Sequence, residues 1–250
     1  MVNRIIIFCL LIGALNSCEK KDPCDVLIDG VYQFPELPEN HAMTIQEVKE
    51  FWDLPKDICG CITTEGLIET CLNYPELRLI FAGSNPQTGY DLLVKDRFRG
   101  IRELESRSDR GTGLLMKYKT INPVGYDPNW DLVKIGKFLF EVMNIEVIFS
   151  QYINLEPLTK DETIELFETA LIIYDLKLGD IENYSLFGLE FSMALLGRLM
   201  YANNYNKIVD LYNQNNLVFE LLNFYGPSTL ETVELINDLS KEYLNQLNNN

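Results

Sequence analysis

The amino-acid sequence predicts an all-α protein, either an irregular helical bundle or a short α-solenoid of antiparallel helix pairs, with a short extended N-terminal arm. Three observations predict this class. Apolar residues recur at helical spacing through the second half of the chain. Three Ser/Thr-x-x-Glu capping boxes, beginning at Thr44, Thr159 and Ser228, open helical stretches. Gly and Pro interrupt the first half at short intervals, but no fixed repeat period emerges.

The first half of the chain is predicted to be an arm followed by short helices. Asp29-Gly30 lies between two short β-prone runs, which favours a hairpin or an irregular arm packed on the body. Pro35 and Pro38 keep the chain extended up to the first helix, which Thr44 caps and Pro55 ends. Short segments are then expected at residues 56–61, 63–73, 76–83, 87–95, 97–107 and 109–119.

The second half is predicted to hold longer helices, beyond a loop at residues 120–128 that is a candidate seam. The stretch at residues 185–201 is apolar nearly all round, so we expect it to be the central buried helix. The other helices are expected at residues 129–151, 159–179, 204–213 and 216–224, and from residue 228 onward.

The N-terminal residues have the pattern of a secretion signal. Arg4 precedes an apolar run at residues 5–15, which fits a secretory h-region and is shorter than the roughly 20 residues that a spanning helix needs. Leu15-Asn16-Ser17-Cys18 then resembles the lipobox of bacterial lipoproteins, in which the cysteine is lipidated and becomes the new N-terminus. The alternative is an ordinary signal peptide cut nearby, with Cys18 incidental.

The lipobox resemblance implies a domain organisation and a location. Residues 1–17 would be the signal peptide, residues 18–40 a lipidated tether and extended arm, and residues 41–250 a single helical domain. Acyl chains such as palmitate on Cys18 would hold the protein on a membrane of the bacterial cell envelope, taken to be the outer membrane, in a leaflet that the sequence does not specify. The segment at residues 63–75 is similar to uncharacterised lipoproteins of Bacteroidota.

The charge composition of the chain limits the kinds of partner that it can bind. The formal net charge of −16 at pH 7 disfavours binding to nucleic-acid phosphates and to anionic lipid surfaces. The expected partners are therefore the membrane, reached through the N-terminal lipid, and another envelope protein. No cofactor is expected, because the sequence has no Walker A, GxGxxG, HExxH or EF-hand pattern and a single histidine, His41.

Four cysteines besides Cys18 follow the lipobox in a predicted oxidising compartment. The preferred interpretation is that all four are buried free thiols. The alternatives are one disulfide, with Cys24 joined to Cys59 or Cys61, and a zinc site, for which Cys59-Gly60-Cys61 has poor spacing.

Arginine clustering is the most unusual local feature of this acidic chain. A guanidinium patch could bind a carboxylate or phosphate. The preferred interpretation is a solvated helix face with ion pairs to Glu103, Glu105 and Asp109. The candidate anion-binding residues are Arg97, Arg99, Arg102, Arg107 and Arg110.

The sequence thus predicts a membrane-anchored envelope lipoprotein whose body is a non-catalytic binding or interaction module. This prediction depends on the lack of catalytic motifs and on an architecture that usually presents surfaces. Two alternatives stay open. One is an envelope hydrolase that uses two carboxylates in a helical cleft. The other is a glycan-binding surface lipoprotein with exposed aromatic residues in a groove.

Overall fold

A computed structural model describes residues 22–39, 42–226 and 228–249. Within these residues the regular secondary structure is helical, and the single β-type pairing is an isolated antiparallel bridge between Ile28 and Val31. The predicted all-α class is confirmed. The predicted signal peptide and the lipidation site Cys18 lie outside the described residues.

The first half folds into short helices. They are α1 (Ile45–Phe51), α2 (Lys56–Cys59), α3 (Thr64–Leu72), α4 (Pro86–Thr88), α5 (Arg99–Ser106) and α6 (Arg110–Tyr118). A 3-10 helix at Leu77–Ala82 precedes α4, and a π-helical segment at Gly89–Lys95 follows it. Gly89 is required where these two segments meet, because a Cβ there would lie 2.0 Å from the Ile80 carbonyl oxygen.

The second half has the longer helices that the sequence predicts. They are α7 (Leu132–Phe149), α8 (Tyr152–Leu155), α9 (Lys160–Gly179), α10 (Ile181–Ala202), α11 (Asn206–Gln214), α12 (Asn216–Asn223) and α13 (Leu230–Asn249).

Two of the three predicted capping boxes are confirmed. The hydroxyls of Thr44 and Thr159 accept from the amides of Glu47 and Glu162, whose carboxylates accept in return from the threonine amides. The third prediction, at Ser228, is wrong by one residue. Helix α13 begins at Leu230, and the Thr229 hydroxyl accepts from the amide of Thr232 at 3.2 Å.

Helix α10 is the central helix, as predicted. It is buried at every position from Gly188 to Met200 and contacts α7, α8, α9, α11, α12 and α13. This arrangement is an irregular bundle, because the helices of a solenoid contact only their sequence neighbours. The helix is broken at Ser185, which has φ 55° and ψ −178°.

The N-terminal arm packs on the body and is joined to it covalently. The amide of Tyr32 donates to the Thr70 hydroxyl at 3.1 Å, and the Trp52 indole N–H donates to the Pro35 carbonyl at 2.9 Å. A disulfide joins Cys24 to Cys61 across 37 residues.

The preferred expectation of four free thiols is therefore wrong for Cys24 and Cys61. Cys59 and Cys71 are free and buried, and burial raises the pKa of both thiols. The sequence could not choose between Cys59 and Cys61, since the choice depends on where the arm meets α2.

The hydrophobic core is continuous across the loop at residues 120–128. Leu114 and Tyr118 before the loop and Ile145 and Phe149 after it belong to one buried cluster, and the rings of Tyr118 and Phe149 meet edge to face. No helix in the described part of the chain is both long and apolar enough to cross a membrane.

Candidate functional site: a groove along helix α7

The predicted arginine cluster ties short helices together. The guanidinium groups of Arg99, Arg102, Arg107 and Arg110 donate to the main-chain carbonyls of Leu54, Lys95, Cys59 and Ile153, respectively. These acceptors lie on or beside other helical elements, so the arginine side chains join neighbouring segments through charge-assisted hydrogen bonds.

Part of the expected ion pairing around this cluster is present. Arg107 pairs with Glu103 at 2.8 Å, and Arg99 pairs with Asp53 at 3.1 Å. The other two expected acids have different partners. Glu105 binds Lys95 at 2.8 Å and accepts from the Tyr90 hydroxyl at 2.9 Å, and Asp109 accepts from the Thr64 hydroxyl at 2.7 Å.

Arg97 is half-buried and lies near Tyr74, where its charge opposes the burial that raises the Tyr74 pKa. The structure therefore uses most of the cluster internally, and anion binding by these five residues stays a prediction.

The bundle centre contains a fully buried ion pair that sequence reasoning missed. Lys177 on α9 and Glu146 on α7 are both 0% exposed and lie 2.5 Å apart. Glu146 also accepts from the hydroxyls of Ser192 and Tyr118 at 2.6 and 2.9 Å. We call these four residues the paired centre.

The paired centre is closed to ligands. Lys177 donates further to the Gly188 carbonyl at 3.1 Å, and burial lowers its pKa while Glu146 opposes that shift. Every polar group of the centre has a protein partner, as a buried network requires. Its role is structural.

An open groove runs along α7. Two adjoining clefts of about 590 and about 460 Å³ share the lining residues Leu72, Asn73 and Glu141. We call their union the α7 groove. Volumes of this size lie within the usual range for ligand sites.

Apolar and polar groups share the wall of the α7 groove. Val133 lines it and is 83% exposed, and Phe140 lines it and is 40% exposed. The preceding residue, Leu132, is 85% exposed. Large apolar side chains clustered at one exposed surface mark interaction sites more often than chance placement does.

Asn144 supplies the polar feature of the α7 groove. It is 6% exposed, it lines the groove, and its Oδ1 has no hydrogen-bond partner among the described residues. A buried carbonyl without a donor costs about 1–3 kcal/mol, so native proteins rarely keep one without a reason. Asn144 is therefore a residue of the groove wall whose side-chain carbonyl lacks an N–H donor.

Among the described residues that line the α7 groove, Arg78 is the charged residue without an ion pair, since Lys117 and Lys137 pair with Glu69 and Glu141. Arg78 and Lys137 both line the groove. Lys137 is well exposed and lies 3.9 Å from Glu141, and Arg78 has no ion pair within 4 Å among the described residues. Arg78 therefore complements a ligand that is neutral or acidic rather than basic.

One feature of the sequence indicates both the paired centre and the polar residue of the α7 groove. Asn144 and Glu146 are isolated polar residues in the otherwise apolar run from Val142 to Phe149. In a helix buried this deeply, each such residue needs a partner or a ligand. A polar residue inside an apolar helical run is thus a better predictor of a buried polar site than the clustering of arginines.

No protein-family model, curated protein or solved structure matches this chain. Function must therefore be argued from the groove and from the sequence.

Proposed function

We propose that this protein is a lipid-anchored binding module of the bacterial cell envelope that holds a polypeptide segment of an envelope partner in the α7 groove. The observation that carries this proposal is the buried, unpartnered Asn144 Oδ1 in the wall of the groove. A main-chain N–H of an extended segment is the donor that such an acceptor fits, since every residue except proline provides one.

The remaining contacts of the segment follow from the wall of the groove. An apolar side chain beside the bonded N–H would cover the exposed surfaces of Val133 and Phe140. An acidic side chain would meet Arg78 at the rim. The proposed partner segment is therefore extended, partly apolar and neutral or acidic.

The anchor and the location rest on the lipobox resemblance at Cys18. The Cys24–Cys61 disulfide supports them, because disulfides persist in oxidising compartments such as the periplasm and the cell surface. We propose attachment to the outer membrane by the lipid on Cys18, and the absence of a suitable spanning helix among the described residues leaves that lipid as the attachment that we invoke.

The geometry favours binding over the two alternatives. A carboxylate hydrolase would need two acids facing one substrate, but of the two glutamates that line the α7 groove, Glu69 holds Lys117 at 2.5 Å. A glycan site would favour coplanar exposed rings. The half-exposed pair Phe81 and Phe140 is instead tilted by 50°.

Site-specific photo-crosslinking in intact cells tests the groove. A photoreactive residue replaces Val133, and in a matched control it replaces Ile172, which is 61% exposed on α9 away from the groove. We expect a discrete adduct from position 133 that Phe140→Asp or Asn144→Leu removes. Equal adducts from both positions, or a groove adduct that neither substitution changes, would count against the proposal.

Fatty-acid labelling tests the anchor separately. We expect Cys18→Ser to abolish incorporation of labelled palmitate and to release the protein from outer-membrane fractions or leave it unprocessed. Continued labelling of Cys18→Ser would refute lipidation at this cysteine and leave the groove result unaffected.

A further inference from the structure

A second cleft, distinct from the α7 groove, opens beside α10. It has a volume of about 280 Å³ and shares no lining residue with the groove. Its walls come from the turn at residues 84–86, from α10 and from the segment that follows α12. We call it the Glu190 cleft, after the single charged residue that lines it.

Glu190 places a carboxylate in the cleft without a cation of its own. It is 8% exposed, and its Oε1 accepts from the amide of Ser228 at 2.7 Å. Within the described residues no lysine or arginine nitrogen lies within 4 Å of it, in contrast to Glu105 and Glu146, each of which holds a lysine. Burial raises the pKa of Glu190, and the bond from Ser228 opposes that shift.

Aromatic side chains line the same cleft as this carboxylate. Phe187, Phe224 and Tyr225 line the cleft, and Phe187 and Tyr225 are 41% and 52% exposed. The faces of aromatic rings attract cations, and the attraction strengthens in a desolvated site. A carboxylate in a cleft lined by exposed rings offers the charge and the ring faces that a substituted ammonium group needs.

One of these aromatic residues, Phe224, has an unfavourable backbone conformation. Phe224 ends α12 with φ 55° and ψ 30°, a left-handed conformation in which glycine is the usual residue. Its ring stacks on Phe191 with centroids 5.3 Å apart and lies 4.5 Å from the Arg198 guanidinium. Strained residues persist where the surrounding structure holds them, and they concentrate at functional sites.

We propose that the Glu190 cleft binds a small organic cation, a substituted ammonium whose charge lies against Glu190 and whose apolar groups contact Phe187 and Tyr225. The cleft volume suits a compact head group rather than a large ligand. The negative net charge of the protein raises the local concentration of such cations. This site is independent of the partner segment proposed for the α7 groove.

Calorimetric titration with choline and with its neutral isostere 3,3-dimethylbutan-1-ol tests the proposal. The two probes have the same shape and differ in charge. We expect choline to bind and the isostere to bind at least about tenfold more weakly. Equal binding of the two probes would show an apolar pocket and overturn the cation site, as would no choline binding up to about 50 mM.

Matched variants locate the site. Glu190→Gln keeps an acceptor for the Ser228 amide and removes the charge, and we expect it to weaken choline binding at least about tenfold. Glu182→Gln removes the same charge from an exposed position of the same helix and should leave binding unchanged. Tyr225→Leu, at a largely exposed position, should fold normally and weaken binding several-fold. Unchanged binding in Glu190→Gln, or an equal loss in Glu182→Gln, would overturn the assignment.

Discussion

The bundle buries charged side chains in two different ways, one at the paired centre beside α10 and one on α10 itself. At the paired centre, Glu146 and Lys177 are both fully buried and each has the other as its partner. On α10 itself, Glu190 and Arg198 are 8% and 2% exposed, and neither has an oppositely charged side chain within 4 Å among the described residues.

Arg198 is satisfied by neutral groups instead. It donates to the carbonyls of Leu222 and Ser150 and to the side chain of Gln87 at 2.7 Å. Burial lowers its pKa to about 10. Gln87 in turn donates to Asp91 at 3.1 Å, so the nearest carboxylate acts through an intervening amide.

The paired and the unpaired buried charges differ in what they leave available to a ligand. A paired network with every group satisfied specifies the core but leaves nothing for a ligand. An unpaired charge or acceptor at the edge of a cleft costs stability in the free protein and gains its partner only on binding.

The largest effect is expected at the paired centre. Lys177→Met leaves the Glu146 carboxylate buried without its cation, so we expect a loss of about 3–5 kcal/mol in the free energy of unfolding, measured by urea denaturation. Adding Glu146→Gln removes the stranded charge and still accepts from Tyr118 and Ser192. That double variant should recover most of the loss, and a double variant as unstable as the single one would contradict the paired-centre interpretation.

Arg198→Met should cost less, about 2 kcal/mol, because it leaves neutral acceptors unpaired instead of a charge. Urea denaturation at pH 7.5 measures the loss. A loss as large as that of Lys177→Met would mean that Arg198 has a charge partner after all, and Asp91→Asn would then show the same loss.

Glu190→Gln should stabilise the free protein by about 1 kcal/mol at pH 7.5, or about 2–4 °C in Tm. The pKa of Glu190 is raised on folding, so its contribution to stability is present below the ordinary carboxyl pKa and is lost as pH rises through the folded-state pKa. The gain should therefore vanish near pH 4. Thermal melts of wild type and Glu190→Gln from pH 4 to pH 8 measure it, and a gain that does not change with pH would contradict this origin.

The smallest effect is expected at the α7 groove. Asn144→Leu removes the unpartnered acceptor and should stabilise the free protein by about 0.5–1 kcal/mol, while abolishing the photo-crosslink from position 133. Urea denaturation measures the first effect. A destabilised Asn144→Leu would indicate that the amide already has an internal role.

Local patterns predicted much of the fold. The capping boxes at Thr44 and Thr159 located two helix starts to the residue, since the cap and its helix are neighbours in sequence. The apolar run at residues 185–201 identified the central helix. Ser185 and Phe224 were not predicted to adopt positive φ, because residues other than glycine rarely do and nothing in the local sequence marks these two positions.

The contacts that form the candidate sites could not be predicted from local sequence patterns. Lys177 meets Glu146 across 31 residues, and Glu190 meets the Ser228 amide across 38 residues. The spacing of residues along one helix carries no information about such contacts. The contacts of the arginine cluster could not be predicted for the same reason, because the carbonyls that Arg107 and Arg110 bind lie more than 40 residues away.

The Cys24–Cys61 disulfide has a mechanical consequence. With the lipid on Cys18 as proposed, six residues connect the membrane to Cys24, a reach of about 20 Å at full extension. Tension on the anchor would then pass through the disulfide directly into the start of α3, next to Cys61. The arm contacts at Tyr32 and Trp52 would be shielded from that force, so the body could be pulled by its lipid without the arm peeling away.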